Sequence, residues 1–493
     1  MTSPSVQLTF LQLNDLHGQL RAHPEVFWKS GTPAIRQDIG GISRIAAFLK
    51  NHKRQAPEQT VVIDCGDAFF GSYFTQIEQG AAIVPLLNEL GIDASNGGHW
   101  EYYYGPEHFL QLSHLLNYPL YALNVYEKGT RKRIFSPYGI LIKAGIRIGV
   151  LGLAATIVDD SMPASFAGNL EFTDGIAQDE LPSLLPEIRA KTDICCLISH
   201  MGLPQDIAIA KGNPGIDVIF SGHTHDRLWQ PVIVPGDQSH DDTIIIQAGF
   251  SGSFIGRLSL QLTREASGQL KKDFSYQLHI MDESISKDPV VDKQVEALFL
   301  QHQAVLTPLL GHVKTDLHRM LTFESTMDNF ILSCMQHAYP SDVYVSRAWR
   351  FCPPKPAGPI TEGDVWDMVP LPVKLFEADV SGLTIRNAVE QWLTQVMTTP
   401  MSQKGGYVTR QLGMHVIVRI NNPDGYRVQE IDVNGRPLEP NTLYHVVIAG
   451  EQVQKDFPAD WTPLPQDLHA TLRAGLSQGS ILCDLTHDKF VLS

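Results

Sequence analysis

Short apolar runs alternate with helically spaced ones through the first part of the chain. The runs predict strands at Gln7–Leu13, Thr60–Asp64, Arg147–Leu153, Asp193–Ser199, Asp217–Ser221 and Thr243–Gln247. Helical spacing predicts helices over Ile42–Asn51 and Ile83–Leu90, the second with Pro85 in its first turn, where no amide hydrogen is needed. Strands alternating with helices imply a layered α/β architecture. Near Lys287-Asp288-Pro289 the texture changes. Asp288 is placed to cap a helix and Pro289 to occupy its first position, after which Val291, Val295, Leu298 and Val305 keep a helical period until Pro308. The expected organisation is therefore a first domain at 1–287, a linker helix at 288–312 and a second domain at 313–493. In the second domain Ile385, Val389, Trp392, Leu393 and Val396 share one face of a helix within Thr384–Met397. Arg427–Val433 runs into the turn pair Asn434-Gly435, and Tyr444–Ala449 reads as a further strand.

Composition narrows this picture. A length of 493 residues sets a prior of two to four domains, and the pattern reduces it to two. Hydrophobic residues at 43% and charged residues at 18% exclude disorder, collagen and coiled coil. The net charge of −15 disfavours a nucleic-acid partner. Nineteen histidines in an acidic chain suit metal loading instead. No apolar stretch spans a membrane: Ile146–Ala155 contains Arg147 and falls far short of the roughly 20 residues a bilayer needs. The N-terminus shows no basic and apolar export pattern, so the expected location is cytoplasmic as given, or periplasmic if an export signal has been removed. Six cysteines form no CxxC pair and imply no disulfide framework; Cys195 and Cys196 read as packed thiols.

Candidate chemistry appears where strands end. Asn14-Asp15-Leu16-His17 follows the first strand, Asp64-Cys65-Gly66-Asp67 the second, Ser199-His200 a third, and Gly222-His223-Thr224-His225-Asp226 a fourth. Carboxyl ends of strands in α/β sheets are where sites assemble. One such residue is often only a helix cap, but four motifs of Asp/His type are not. Mixed nitrogen and oxygen ligands suit Mn, Fe or Zn rather than Mg or Ca. A carboxylate such as Asp67 can bridge two ions about 3.5–4 Å apart, acidifying water and neutralising charge on an ester. The residues themselves thus point to a dinuclear hydrolase.

Asp15-Leu16-His17, Gly66-Asp67, Gly98-His99-Trp100-Glu101, Ser199-His200 and Gly222-His223-Thr224-His225 resemble, in order and spacing, the motifs of calcineurin-like metallophosphoesterases. The second domain resembles the C-terminal domain of 5′-nucleotidases through Asp328-Asn329, Arg350, Gly358-Pro359-Ile360-Thr361 and Gly405-Gly406-Tyr407. The resemblance implies a four-layer metallophosphoesterase sandwich plus a C-terminal α/β domain that holds substrate. It implies two divalent ions, manganese first and zinc or iron next, on Asp15, His17, Asp67, His99, His200, His223 and His225.

The third motif departs from most of that family, which has Gly-Asn-His-Glu, its Asn on a metal and its His protonating the leaving group. Aligned without a gap, His99 takes the Asn position and Trp100 the His position. The Gly-His-Trp-Glu form is similar to the SoxB branch, dimanganese thiosulfohydrolases of bacterial sulfur oxidation that release sulfate from a cysteine S-thiosulfonate on a carrier protein. A one-residue insertion would instead keep His99 as the acid; whether His99 or Asn96 faces the metals separates the two. An indole N–H cannot deliver a proton to a departing alkoxide, whereas a thiolate or persulfide is a weak base and leaves without one. The resemblance thus implies a small anionic substrate or a carrier-protein cysteine adduct, with 5′-nucleotidase or other phosphoesterase action as the alternative and a non-catalytic metal-binding protein a further one. Nothing in the sequence sets the oligomeric state.

Other residues carry two readings each. Asp226 orients a ligand histidine or caps a helix. Arg350 grips a tetrahedral anion or forms a surface ion pair. Asn329 contacts substrate or caps its own helix. Trp349, Phe351 and Tyr407 form an aromatic clamp or pack in the core.

Overall fold

The computed structural model describes residues 5–160, 162–264, 270–403, 405–477 and 489–492. By internal contacts it divides into two compact units. The first comprises Met1–His23, Asp38–Phe70 and Phe74–Leu298, the second Pro24–Gln37, Gly71–Tyr73 and Phe299–Ser493.

The first unit is built on two sheets. One carries Leu270–Ile280, Phe254–Arg264, Ser5–Leu13 and Thr60–Asp64 in that order; the other carries Val232–Val234, Thr243–Ile246, Val218–Ser221, Ile194–Ser199, Ile146–Leu153 and Tyr138–Lys143. Leu8, Phe10, Val61 and Ile63 of the first meet Val150, Ile198, Phe220 and Ile246 of the second in one buried core. These strands read as near-continuous apolar runs because both faces are covered. Helix Ile42–Gln55 lies on one outer face and buries Ile42, Ile45, Ala46 and Leu49. Leu181–Arg189 and Leu203–Gly212 pack on the other sheet, completing the four layers. Ser5–Leu13 runs parallel to Thr60–Asp64, and Ile194–Ser199 parallel to Val218–Ser221, so their carboxyl ends point the same way within each sheet.

The second unit has a five-stranded sheet, ordered Arg410–Leu412, Val343–Ser346, Leu443–Ala449, Lys374–Ser381 and Thr462–Asp467. Helix Gly382–Val396 packs Ile385, Val389, Trp392 and Leu393 into its core, the face expected from spacing.

The expected division at Asp288 sits elsewhere. Asp288 does cap helix Pro289–Leu306, accepting from the amides of Val290 and Val291, but the units part at Leu298, inside that helix. The rest of the expected linker is strand Leu309–Val313, paired with Gly358–Thr361 of the second unit. Pro24–Gln37 joins that unit too, with Trp28 edge-on to His318 at 6.4 Å. Among the described residues no helix is long and apolar enough to cross a membrane. Cys65, Cys195, Cys196, Cys334 and Cys352 are free and buried; Cys483 lies outside the described residues.

Candidate metal centre

All seven expected ligands lie in the first unit and are buried. They form two groups whose donor atoms converge within 4.8 Å: Asp67, His99, His200 and His223 in one, Asp15, His17 and His225 in the other. The two ligand loops after the parallel strands clasp each other, the Asp15 amide donating to Gly66 O and the His17 amide to Asp67 O, both at 2.9 Å. Asp15, His17, Asp67, His223 and His225 all have left-handed backbones, with φ between 49° and 75°. Such conformations are costly for residues with a Cβ and persist where the surroundings over-determine them, as at functional sites.

Each carboxylate divides its two oxygens. Asp15 Oδ2 accepts from Asn14 Nδ2 at 2.7 Å and from the His223 amide at 3.0 Å. Its Oδ1 faces His225 Nε2 at 3.2 Å, His200 Nε2 at 3.8 Å and His17 Nε2 at 3.9 Å. Asp67 Oδ1 accepts from the Trp100 amide at 2.9 Å, while Oδ2 faces His99 Nδ1 at 3.0 Å and His200 Nε2 at 3.1 Å. Two atoms each about 2.1 Å from a shared ion, the usual nitrogen or oxygen bond length, stand about 3.0–3.4 Å apart. The spacings fit.

Backbone carbonyls orient two of the ligand rings. His17 Nδ1 donates to Phe70 O at 2.7 Å and His200 Nδ1 to Cys65 O at 2.5 Å, leaving each Nε2 lone pair turned toward the cluster. Burial, with His225 beside it, holds His17 down at about 4, as a neutral ligand. Burial alone would lower His200 as well, but Asp67 and then Asp15 outweigh it and raise it to about 10. These carboxylates call for positive charge at this point, which is what a divalent cation brings.

Geometry favours the alignment without a gap. His99 belongs to the donor group, whereas Asn96 Nδ2 turns away to Leu153 O at 2.9 Å and Ile198 O at 3.3 Å. Gly98 cradles Asp67: a Cβ there would lie 2.2 Å from Asp67 Oδ1. Trp100 therefore holds the neighbouring position. Its ring stacks on Phe70, with centroids 4.1 Å apart and planes at 5°, and stands 5.1 Å from His99. Tyr103 at 4.6 Å from Phe70, and Phe166 at 6.0 Å from Trp100, complete an aromatic wall beside the ligands.

Asp226 stays outside both groups; its carbonyl accepts from Gly249 N, and no helix follows for it to cap. Asn14 and Gln247 fasten the ligand loops, and sequence pattern singled out neither as a site residue. Asn14 ties Asp15 to Gly249 O at 2.6 Å and accepts from Ala248 N at 2.9 Å. These partners stand more than 230 positions away, beyond any local signal.

Arg350, Asn329 and Tyr407 lie in the second unit. Asn329 is not the cap of its helix: Ser325 is, accepting from the Asp328 amide at 3.2 Å. The Asn329 amide is held by Glu324 at 2.5 Å and by Lys489. Arg350 lies against the Gly405 loop, its guanidinium carbon 3.8 Å from where a Gly405 Cβ would stand, and the Tyr407 ring lies under Arg410 at 5.2 Å. Trp349 and Phe351 stack on each other at 6.2 Å, with Arg319 over Trp349 at 5.5 Å and Phe351 buried. Thr361 closes a capping box on helix Glu362–Met368.

Two family models match the chain: calcineurin-like phosphoesterase over residues 8–227 and 5′-nucleotidase, C-terminal domain, over 309–450. The Trifunctional nucleotide phosphoesterase protein YfkN of Bacillus subtilis is 25% identical over 80% of this chain, which spans only 29% of its length. Protein UshA of Yersinia enterocolitica is 26% identical over 89% of this chain and 84% of its own. Among solved structures, the sulfate thiohydrolase SoxB of Thermus thermophilus, in complex with glycerol, superposes with a TM-score of 0.86. It is 24% identical, over 98% of this chain and 95% of that one.

Proposed function

The chain belongs to the calcineurin-like metallophosphoesterases that carry a 5′-nucleotidase C-terminal domain, a superfamily of hydrolases, and from that premise we propose a thiosulfohydrolase-type activity. The reaction is hydrolysis of a sulfonate joined through sulfur, as in a cysteine S-thiosulfonate on a small molecule or carrier protein. Two divalent cations, manganese first among them, would supply an activated water and neutralise charge on the attacked centre. Asp15, His17 and His225 would hold one, and Asp67, His99, His200 and His223 the other.

One observation carries the reading: with His99 among the ligands, the adjacent position offers an indole stacked on Phe70 rather than an imidazole. Trp100 can position and exclude water but cannot protonate a leaving group. In the proposed reaction a water oxygen joins the sulfonate sulfur, the S–S bond breaks, and the outer sulfur departs with the electron pair as a persulfide. The aromatic wall suits such an atom, since polarisable sulfur gains from ring contacts. Within the second unit, Arg350 beside the Gly405-Gly406-Tyr407 loop is a candidate for binding an anion. The alternative, 5′-nucleotidase action, draws on the C-terminal family match.

The test is a panel with manganese-loaded protein: a cysteine S-thiosulfonate, AMP and an aryl phosphate. Sulfate release from the first with little AMP turnover is expected; brisk AMP hydrolysis without sulfate release would overturn the proposal. Absence of bound metal after loading would leave only a non-catalytic protein.

A further inference from the structure

Gln247 is fully buried just beyond strand Thr243–Ile246, and its amide grips the loop that carries His223 and His225. Its Nε2 donates to Ser221 Oγ at 2.8 Å and Gly222 O at 3.0 Å. Its Oε1 accepts from Thr224 Oγ1 at 3.2 Å and from the Asp226 amide. The gripped residues alternate with the two histidines. Ser221, Gly222, Thr224 and Asp226 are held from one side, while His223 joins one donor group and His225 the other.

Both histidines have left-handed backbones, with φ of 75° and 62°. An isolated loop would relax out of them, since non-glycine residues rarely stay there. The hydrogen bonds to Gln247 oppose that relaxation, because breaking them strands buried polar atoms of the loop and of the amide itself. Asn14 offers a contrast: it fastens Asp15, a member of one group only.

We propose that Gln247 is a positioning residue for both ions at once, setting the spacing of the pair through a single side-chain amide. This rests on the metal-pair reading above. It is independent of which substrate the pair attacks.

The experiment is calorimetric titration of the metal-free full chain with manganese, alongside its thermal melting. Gln247→Leu removes every contact at similar size. Gln247→Glu keeps the acceptor for Asp226 and loses the donor for Gly222. Asn14→Ser serves as the one-sided comparison. Losing a partner that orients ligands weakens a site about 10–100-fold. Gln247→Leu is expected to weaken both binding steps by that factor, Gln247→Glu to weaken both by less, and Asn14→Ser to weaken one step. Wild-type affinities in both Gln247 variants, or a loss confined to one step, would overturn the proposal. So would losses matched by Thr60→Val, a buried substitution distant from the ligands, since they would then reflect general loosening. If wild-type protein binds no manganese, the metal-pair reading fails rather than the role of Gln247.

Discussion

Replacing Trp100 with histidine puts the missing acid back and isolates its consequence. The indole centre lies 5.1 Å from that of His99, whose Nδ1 is 3.0 Å from Asp67 Oδ2, so an imidazole on the same backbone stands beside the ligand cluster. The Trp100 amide that fastens Asp67 Oδ1 at 2.9 Å is unaffected by the change of side chain. What is lost is the stack on Phe70, worth about 0.5–1.5 kcal/mol, which a chain of this size tolerates. General acid catalysis contributes about 10²–10⁴-fold, and it matters in proportion to the basicity of the leaving group. Trp100→His is therefore expected to raise kcat/KM for AMP by about 10²-fold. For 4-nitrophenyl phosphate, whose leaving group needs no proton, the gain should stay below about tenfold, and for the S-thiosulfonate there should be none. The assay is steady-state release of phosphate or sulfate, with metal content measured on each preparation. An equal gain on all three substrates, or none on AMP in a fully metallated variant, refutes the reasoning.

Three further outcomes follow from named contacts. Gly98→Ala places a Cβ 2.2 Å from Asp67 Oδ1 and 2.6 Å from its amide nitrogen, so manganese affinity should fall at least tenfold, roughly as when a ligand's support is lost, as read by calorimetry. Manganese at about a thousand times its Kd should stabilise the chain by about 4 kcal/mol per site, so chelation should lower the Tm; a Tm indifferent to chelator counts against the site. Burial pulls Lys489 down to about 8 from 10.5, against the raising effect of Glu324, so folding disfavours its charged form. That cost is fully present below about 8 and is relieved as pH climbs toward 10.5, a window of 2.5 units and at most about 3 kcal/mol. Lys489→Met should flatten this rise in denaturant-measured stability, and an unchanged slope would contradict it.

The central strands were legible because burial on both faces writes itself as unbroken apolar runs, as in Thr60–Asp64, where prediction and structure coincide. Hairpin Phe254–Arg264 with Leu270–Ile280 was not. Its second strand is a sheet edge with Lys271, Asp273 and Phe274 exposed, and carries no unbroken apolar run. The excursion Pro24–Gln37 escaped for a related reason: its second half is polar and exposed, and its allegiance to the second unit depends on contacts remote in sequence. At the site, six of the expected ligands follow strands as Asp or His and His99 came from the motif resemblance, and all seven fall into the two donor groups. Asn14 and Gln247 act through neutral amides on backbone and side-chain atoms, chemistry that most asparagines and glutamines share, and only the folded chain distinguishes them.

The most direct test is anomalous diffraction at the manganese edge from crystals of the loaded protein. Two peaks about 3.5–4 Å apart are predicted, one against Asp67, His99, His200 and His223 and the other against Asp15, His17 and His225, with the Trp100 ring ligating neither. A single peak, or Asn96 in the place of His99, would contradict the account.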